Sequence, residues 1–185
     1  CGLIINAGSR DETVPEHGIA HFIEHMLFKG TKRRKAYHIL SRLEDVGGEL
    51  NAYTTKEETA IHASFLKEDY DRTIELISDI TFNSIFPEKE IEKEKDVVIE
   101  EINSYLDNPA ELIFDDFEEL IFSNQPIGRN ILGTPESVKS YSQKMISDFI
   151  SNNYNTNQMV FCSVGNIPDE KIIKLFKTHF ADIIT

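Results

Sequence analysis

The sequence lacks several features that identify common classes of protein. Its 185 residues include only two cysteines, Cys1 and Cys162, which form neither a C-x-x-C pair nor a disulfide framework. No apolar run approaches the roughly 20 residues needed to cross a bilayer, and there is no signal-peptide pattern. We therefore expect a soluble chain with no membrane partner, located in the cytoplasm. Because it begins at Cys1 without a methionine, we also expect it to be a segment of a longer protein.

Basic residues are scarce too. The chain has 19 Lys and Arg against 32 Asp and Glu, which gives a formal net charge of −13. Nucleic-acid binders usually carry basic patches, so no nucleic-acid partner is expected. The one basic cluster, residues 29–35, follows a predicted helix, where cations interact favourably with the helix dipole. We interpret it as a solvated helix end. Cys162 lies in an apolar run and is predicted to be buried.

The most informative stretch is His21-Phe22-Ile23-Glu24-His25. Residues three and four apart lie on one face of a helix, so two imidazoles and a carboxylate converge at one point beside it. Two histidines at this spacing suit a zinc ion, and Glu24 is then placed to accept a proton from water. H-x-x-E-H is also a known zinc-peptidase signature. The alternative interpretation is a helix with two surface histidines.

A second predicted helix, over residues 87–106, offers a third ligand. It contains Glu94 and Glu101, which are seven positions apart and so share a face to within about 20°. Val97 and Val98 lie between these two glutamates. Their apolar side chains predict that this face of the helix is half-buried. Carboxylates that approach a core usually need a partner or a metal. A charged, solvated helix is the alternative.

The remaining pattern predicts strands in clusters with helices between them. An apolar strand over residues 1–7 precedes the motif helix, which lies between Pro15 and Gly30. Residues 49–54 and 59–66 alternate as the two strands of a hairpin. Further helices are predicted at 36–46, 68–83, 87–106, 109–122 and 168–180, with two short helices and a strand at 158–165 between the last two. This order predicts an α+β fold, with a mostly antiparallel sheet packed against several helices.

Taken together, these features resemble the pitrilysin/insulinase family of zinc metallopeptidases. The H-x-x-E-H motif is followed, 76 positions after His25, by Glu101 within an E-x-x-x-x-x-x-E spacing. Residues 47–54 (GGELNAYT) and 7–10 (AGSR) resemble segments of the same family. The similarity covers nearly the whole chain and is strongest to the mitochondrial processing peptidase and its bacterial relatives. It implies that residues 1–185 form one peptidase domain, the N-terminal catalytic half, without the family's first strand and C-terminal partner domain.

The resemblance also implies a role for each candidate residue. His21, His25 and Glu101 would be the ligands of one Zn²⁺ ion, and Glu24 the general base. Glu94 would be a carboxylate that orients a ligating imidazole, as such partners do in other metal sites.

An extended peptide would pair with the strand over residues 49–54 by β-augmentation, where Asn51, Ala52 and Tyr53 would contact the substrate. The implied function is zinc-dependent endopeptidase cleavage of peptides or unfolded proteins, completed by a homologous C-terminal domain or partner subunit. Without that other half, we expect the chain to bind zinc but to cleave poorly. The alternatives are a non-catalytic, peptide-holding or structural subunit of the same family, and a metal-free interaction domain with a fortuitous motif.

Overall fold

The computed structural model describes residues 1–181 and 183. In this part of the chain, four strands form one antiparallel sheet in the order β2-β3-β1-β4. The strands are β1 (Gly2–Ile5), β2 (Glu49–Thr54), β3 (Thr59–Ser64) and β4 (Met159–Cys162). The predicted hairpin is therefore β2 and β3, and β2 lies at one edge of the sheet.

Helices cover one face of this sheet. The apolar residues of alternate strand positions, such as Leu3, Ile5 and Ile61, are buried against them, because successive side chains of a strand point to opposite faces. The helices of the described residues are α1 (Ile19–Met26), α2 (Ala36–Glu44), α3 (Tyr70–Phe82), α4 (Glu88–Leu106), α5 (Pro109–Ile121), α6 (Pro135–Ser140), α7 (Gln143–Asn153) and α8 (Asp169–His179). The predicted α+β fold is confirmed. None of these helices is both long and apolar enough to cross a membrane.

Helix α1 lies deep in the fold. Its apolar residues Ile19, Phe22, Ile23 and Met26 are fully buried, and the helix packs against β2, α4 and α7. The side that carries the motif faces α4. The histidines and Glu24 therefore lie at the edge of the apolar core, where polar groups are partly shielded from water.

One burial prediction is wrong. Cys162 is exposed, because Phe161 of β4 packs against the core and its neighbour in a strand must face the other way. Val97 is 51 % exposed, whereas Val98 is fully buried. The turn of about 100° per residue in a helix places Val98 on the buried stripe of α4 and turns Val97 towards solvent.

The buried face of the sheet yields a stability prediction. Replacing Ile61 of β3 by alanine removes a fully buried side chain and should lower the free energy of unfolding by about 2–5 kcal/mol. The matched variant Ile173→Ala changes a half-exposed side chain of α8 and should change it far less. Urea unfolding of both variants measures the difference. Equal losses would contradict the burial assigned to β3.

Candidate metal centre

Helix α1 presents the H-x-x-E-H motif on one side. The helix starts after Gly18, whose φ of 91° is in the left-handed region that favours glycine. His21 is 8 % exposed, and Glu24 and His25 are half-buried. His21 and His25 lie beside Glu101 of α4, whereas the hydrogen-bond partner of Glu24 is Thr54 of β2.

Helix α4 brings a third candidate ligand, Glu101, to the two histidines. In the described part of the chain, His21, His25 and Glu101 form the one group of three metal-binding side chains with ligand atoms within 4.8 Å of one another. The Nε2 atoms of His21 and His25 lie 3.2 Å apart. The Glu101 carboxylate oxygens lie 3.7 Å from His21 Nε2 and 3.5 Å from His25 Nε2. The side chain of Glu101 remains 43 % exposed, so the group is open to solvent on one side.

These separations fit a zinc ion. Zinc binds imidazole nitrogen at about 2.0–2.1 Å and carboxylate oxygen at about 2.0–2.2 Å in tetrahedral geometry, so two ligand atoms lie about 3.3–3.5 Å apart. The three observed ligand-to-ligand distances, 3.2, 3.5 and 3.7 Å, are close to these values. Two imidazoles and one carboxylate are also a donor set that suits zinc.

Glu94 orients one of the imidazoles. Its Oε1 accepts a hydrogen bond of 2.9 Å from His25 Nδ1, which leaves the lone pair of His25 Nε2 directed at the metal-binding group. Its Oε2 lies 2.6 Å from Lys29 Nζ. Glu94 is only 5 % exposed, and a buried carboxylate requires such partners.

The solvated interpretation of the basic cluster is therefore wrong for two of its members. Lys29 pairs with Glu94, and Arg34 forms ion pairs of 2.7 and 2.6 Å with Glu75 and Asp79. A signal for Lys29 was available in the sequence, because it lies four residues after His25, the spacing that places two side chains on one helix face. The partners of Arg34 lie on α3, about 40 positions away, and the local sequence does not reveal them.

Burial and charge shift the protonation of the site. Burial, with a smaller effect of His25, lowers the pKa of His21 to about 3, so His21 is neutral at ordinary pH. Burial also lowers the pKa of His25, but the hydrogen bond to Glu94 and the charge of Glu101 outweigh it, and the net pKa is raised. Burial raises the pKa of the Glu24 carboxyl, which Thr54 offsets only in part. Of the two histidines, His25 is therefore the one that binds a proton more readily when no metal is bound.

The predicted substrate-binding residues lie on β2, which packs against α1. Asn51 and Tyr53 are exposed, whereas Ala52 between them is buried on the side that packs against the helices. The Asn51 Oδ1 atom accepts a hydrogen bond of 2.9 Å from the Ala52 backbone N–H. One long side of β2 pairs with β3, and the other has no strand partner among the described residues.

Comparison with known proteins identifies peptidase family M16 over most of the chain. The profile of the family described as Insulinase (Peptidase family M16) matches residues 1–135, and that of the Peptidase M16 inactive domain matches residues 140–185. An uncharacterized zinc protease of Rickettsia felis is 38 % identical over 181 residues, which are 98 % of this chain and 44 % of that protein. The mitochondrial-processing peptidase subunit beta of Homo sapiens is 39 % identical over 98 % of this chain and 37 % of its own length.

The structural comparison agrees. A protease from Helicobacter pylori superposes with a TM-score of 0.93 at 27 % sequence identity, over 98 % of this chain and 44 % of that one. This chain thus spans less than half the length of each of these relatives. With a family profile that matches 135 of its 185 residues, the chain belongs to the insulinase family of peptidases, family M16.

Proposed function

We propose that this chain is the zinc-binding part of an endopeptidase that cleaves extended peptides or unfolded proteins. The observation that carries the proposal is the convergence of His21, His25 and Glu101, which come from two helices and lie with their ligand atoms within 4.8 Å of one another. Membership of a peptidase family and similarity to a protein named as a zinc protease support it.

His21, His25 and Glu101 would hold the ion. When bound, zinc polarises the scissile carbonyl and makes a water molecule acidic near neutral pH. Glu24 is the general base, because it lies on the same side of α1 as the histidines and its raised pKa suits a group that both accepts and releases a proton. Glu94 holds the His25 ring in the orientation that keeps Nε2 free.

Strand β2 is the proposed binding site for the substrate backbone. Its free long side offers N–H and C=O groups to an extended peptide, and such main-chain pairing supplies affinity with little demand on sequence. The exposed side chains of Asn51 and Tyr53 would contact the substrate, while Ala52 holds the strand against the helices. This mode of binding fits substrates that are already unfolded.

We further propose that a homologous C-terminal domain or a partner subunit completes the active site. The match of residues 140–185 to a second M16 profile and the coverage of less than half of each relative support this. The chain by itself would then hold zinc and cleave poorly. The cytoplasmic location and the single-domain division of residues 1–185 remain predictions. A non-catalytic role in the same family would not require the complete set of His21, Glu24, His25 and Glu101.

Metal content tests the ligand assignment. Glu101→Gln removes the anionic ligand and should leave the purified protein with little zinc, whereas wild type should hold about one equivalent. Glu100→Gln is the matched control, because this adjacent carboxylate is exposed and lies about 100° around α4 from Glu101. Elemental analysis after dialysis measures both. Equal zinc content in the two variants would contradict the assignment of Glu101.

The pH dependence of zinc binding tests the role of Glu94. Since the pKa of His25 is raised above its ordinary value, the apparent zinc affinity should fall as the pH decreases through that raised pKa. Glu94→Gln removes the largest cause that raises it, so the midpoint of the fall should move to lower pH. The plateau affinity at high pH should weaken by about 10–100-fold. Competition with a chelator at a series of pH values measures both quantities, and an unmoved midpoint would show that Glu94 does not set the protonation of His25.

Peptide hydrolysis tests the general base. In the full-length protein, Glu24→Gln should keep the zinc and lower kcat by at least about 10²-fold, the usual contribution of a general base. The measurement is the cleavage of an unstructured peptide by a zinc-saturated sample, and Glu100→Gln is again the control. Turnover of Glu24→Gln close to that of wild type would refute both the role of Glu24 and the proposed mechanism.

A further inference from the structure

Helix α1 begins without a side-chain cap of its own. The first N–H groups of an α-helix have no acceptor within the helix, and a Ser, Thr, Asp or Asn at the N-cap usually accepts from one of them. Here the N-cap is Gly18, which has no side chain and makes no such bond. The start of the helix that carries the metal-binding motif therefore depends on an acceptor from elsewhere in the chain.

Glu12 is that acceptor. Its Oε2 accepts a hydrogen bond of 2.8 Å from the Gly18 backbone N–H, and its Oε1 accepts one of 2.9 Å from the Ala20 N–H. Glu12 is only 3 % exposed, although burying a carboxylate is costly. Two backbone hydrogen bonds and the positive end of the helix dipole offset that cost only in part, because burial still raises the pKa of Glu12 to about 8. Both oxygens are thus committed to the first turn of α1.

The segment after α5 also contacts the N-terminal end of α1. Arg129, in the segment after α5, donates a hydrogen bond to the Glu12 backbone carbonyl. Gly18 and Gly133 pack with their backbones in contact, since a Cβ on Gly18 would lie 2.7 Å from the Gly133 Cα. These contacts join both Glu12 and the first residue of the helix cap, Gly18, to the segment that contains Arg129 and Gly133. The position of Glu12 is therefore itself held by the surrounding structure.

The anchored residues adjoin the metal ligands. Ala20 immediately precedes His21, and His25 follows one turn later on the same helix. A metal site needs its ligands held to within about 0.5 Å, and a small rotation or shift of α1 would move both Nε2 atoms relative to Glu101 on α4. Glu12 does not touch either histidine. Its effect on them passes through the backbone of the first turn.

We propose that Glu12 is a positioning residue for the metal centre: its buried carboxylate fixes the first turn of α1 so that His21 and His25 meet Glu101. This inference rests on the proposed zinc-binding function. A positioning role differs from a purely structural one in what it predicts. Removing the Glu12 carboxylate should lower the affinity for zinc by more than the accompanying loss of stability explains.

The test is Glu12→Gln in the full-length protein, with Zn²⁺ and Co²⁺ as probes. The variant keeps the shape of the side chain but replaces one acceptor oxygen by an NH₂ group, which cannot accept from the backbone N–H. The zinc dissociation constant should rise by about tenfold or more, the usual effect of losing a partner that orients the ligands. The visible absorption spectrum of the Co²⁺-loaded variant should also change, because it reports ligand geometry. In zinc-saturated samples, kcat should fall while KM for a peptide stays near the wild-type value.

Two controls separate positioning from stability. Among the described residues, the Glu16 carboxylate accepts hydrogen bonds from Thr13, which lies outside α1, so Glu16→Gln should leave zinc affinity unchanged. Ile77→Val trims a fully buried side chain of α3. It should lower the melting temperature while zinc affinity and the Co²⁺ spectrum stay as in wild type.

A Glu12→Gln variant that is merely less stable, with wild-type zinc affinity and Co²⁺ spectrum, would overturn the proposal. If that variant does not fold, Glu12→Asp decides, because it keeps both acceptors on a shorter side chain. Its zinc affinity should be measurably weaker than that of wild type, and unchanged affinity and spectrum would again overturn the proposal. A wild-type protein that binds no zinc would instead refute the proposed function.

Discussion

The approach of helix α4 to helix α1 is the constraint on which the candidate site depends. Neither helix carries a complete set of ligands, and the three side chains meet only because α1 is packed into the core with its polar side towards α4. The distances of 3.7 and 3.5 Å from the Glu101 oxygens to His21 Nε2 and His25 Nε2 are therefore set by how the two helices pack. A shift of either helix by a fraction of an ångström would change both of these distances.

Two buried acidic side chains contact α1, one near each end of the helix. Glu94 lies between His25 and Lys29 and so links the His25 imidazole to the segment that follows the C-terminal end of α1. Glu12 lies at the opposite end of the same helix and binds its first N–H groups. A carboxylate in the protein interior is unfavourable unless it is paired and hydrogen-bonded. Glu94 is paired with Lys29 and hydrogen-bonded to His25, and Glu12 accepts two backbone hydrogen bonds, so an acidic side chain holds each end of α1.

The local order of elements could be predicted from the sequence because it depends on short-range pattern. Helical spacing of apolar residues, proline near helix starts and glycine after helix ends gave α1 to α8 nearly where they lie, and strict alternation gave the β2–β3 hairpin. Burial at single positions was harder. Cys162 was assigned to the core from its apolar neighbours, yet its position in an edge strand turns it outwards.

The sequence by itself determined the pairing of His21 with His25 and the placement of Glu24 beside them, because residues three and four apart share a helix face whatever the fold. It also placed Glu94 and Glu101 on one face of α4 for the same reason. Only the tertiary structure decided that Glu101 meets the histidines, that Lys29 neutralises Glu94, and that Glu12 caps α1. Those contacts join residues 6 to 80 positions apart, and their distances follow from the tertiary packing and not from the spacing of residues along any one helix.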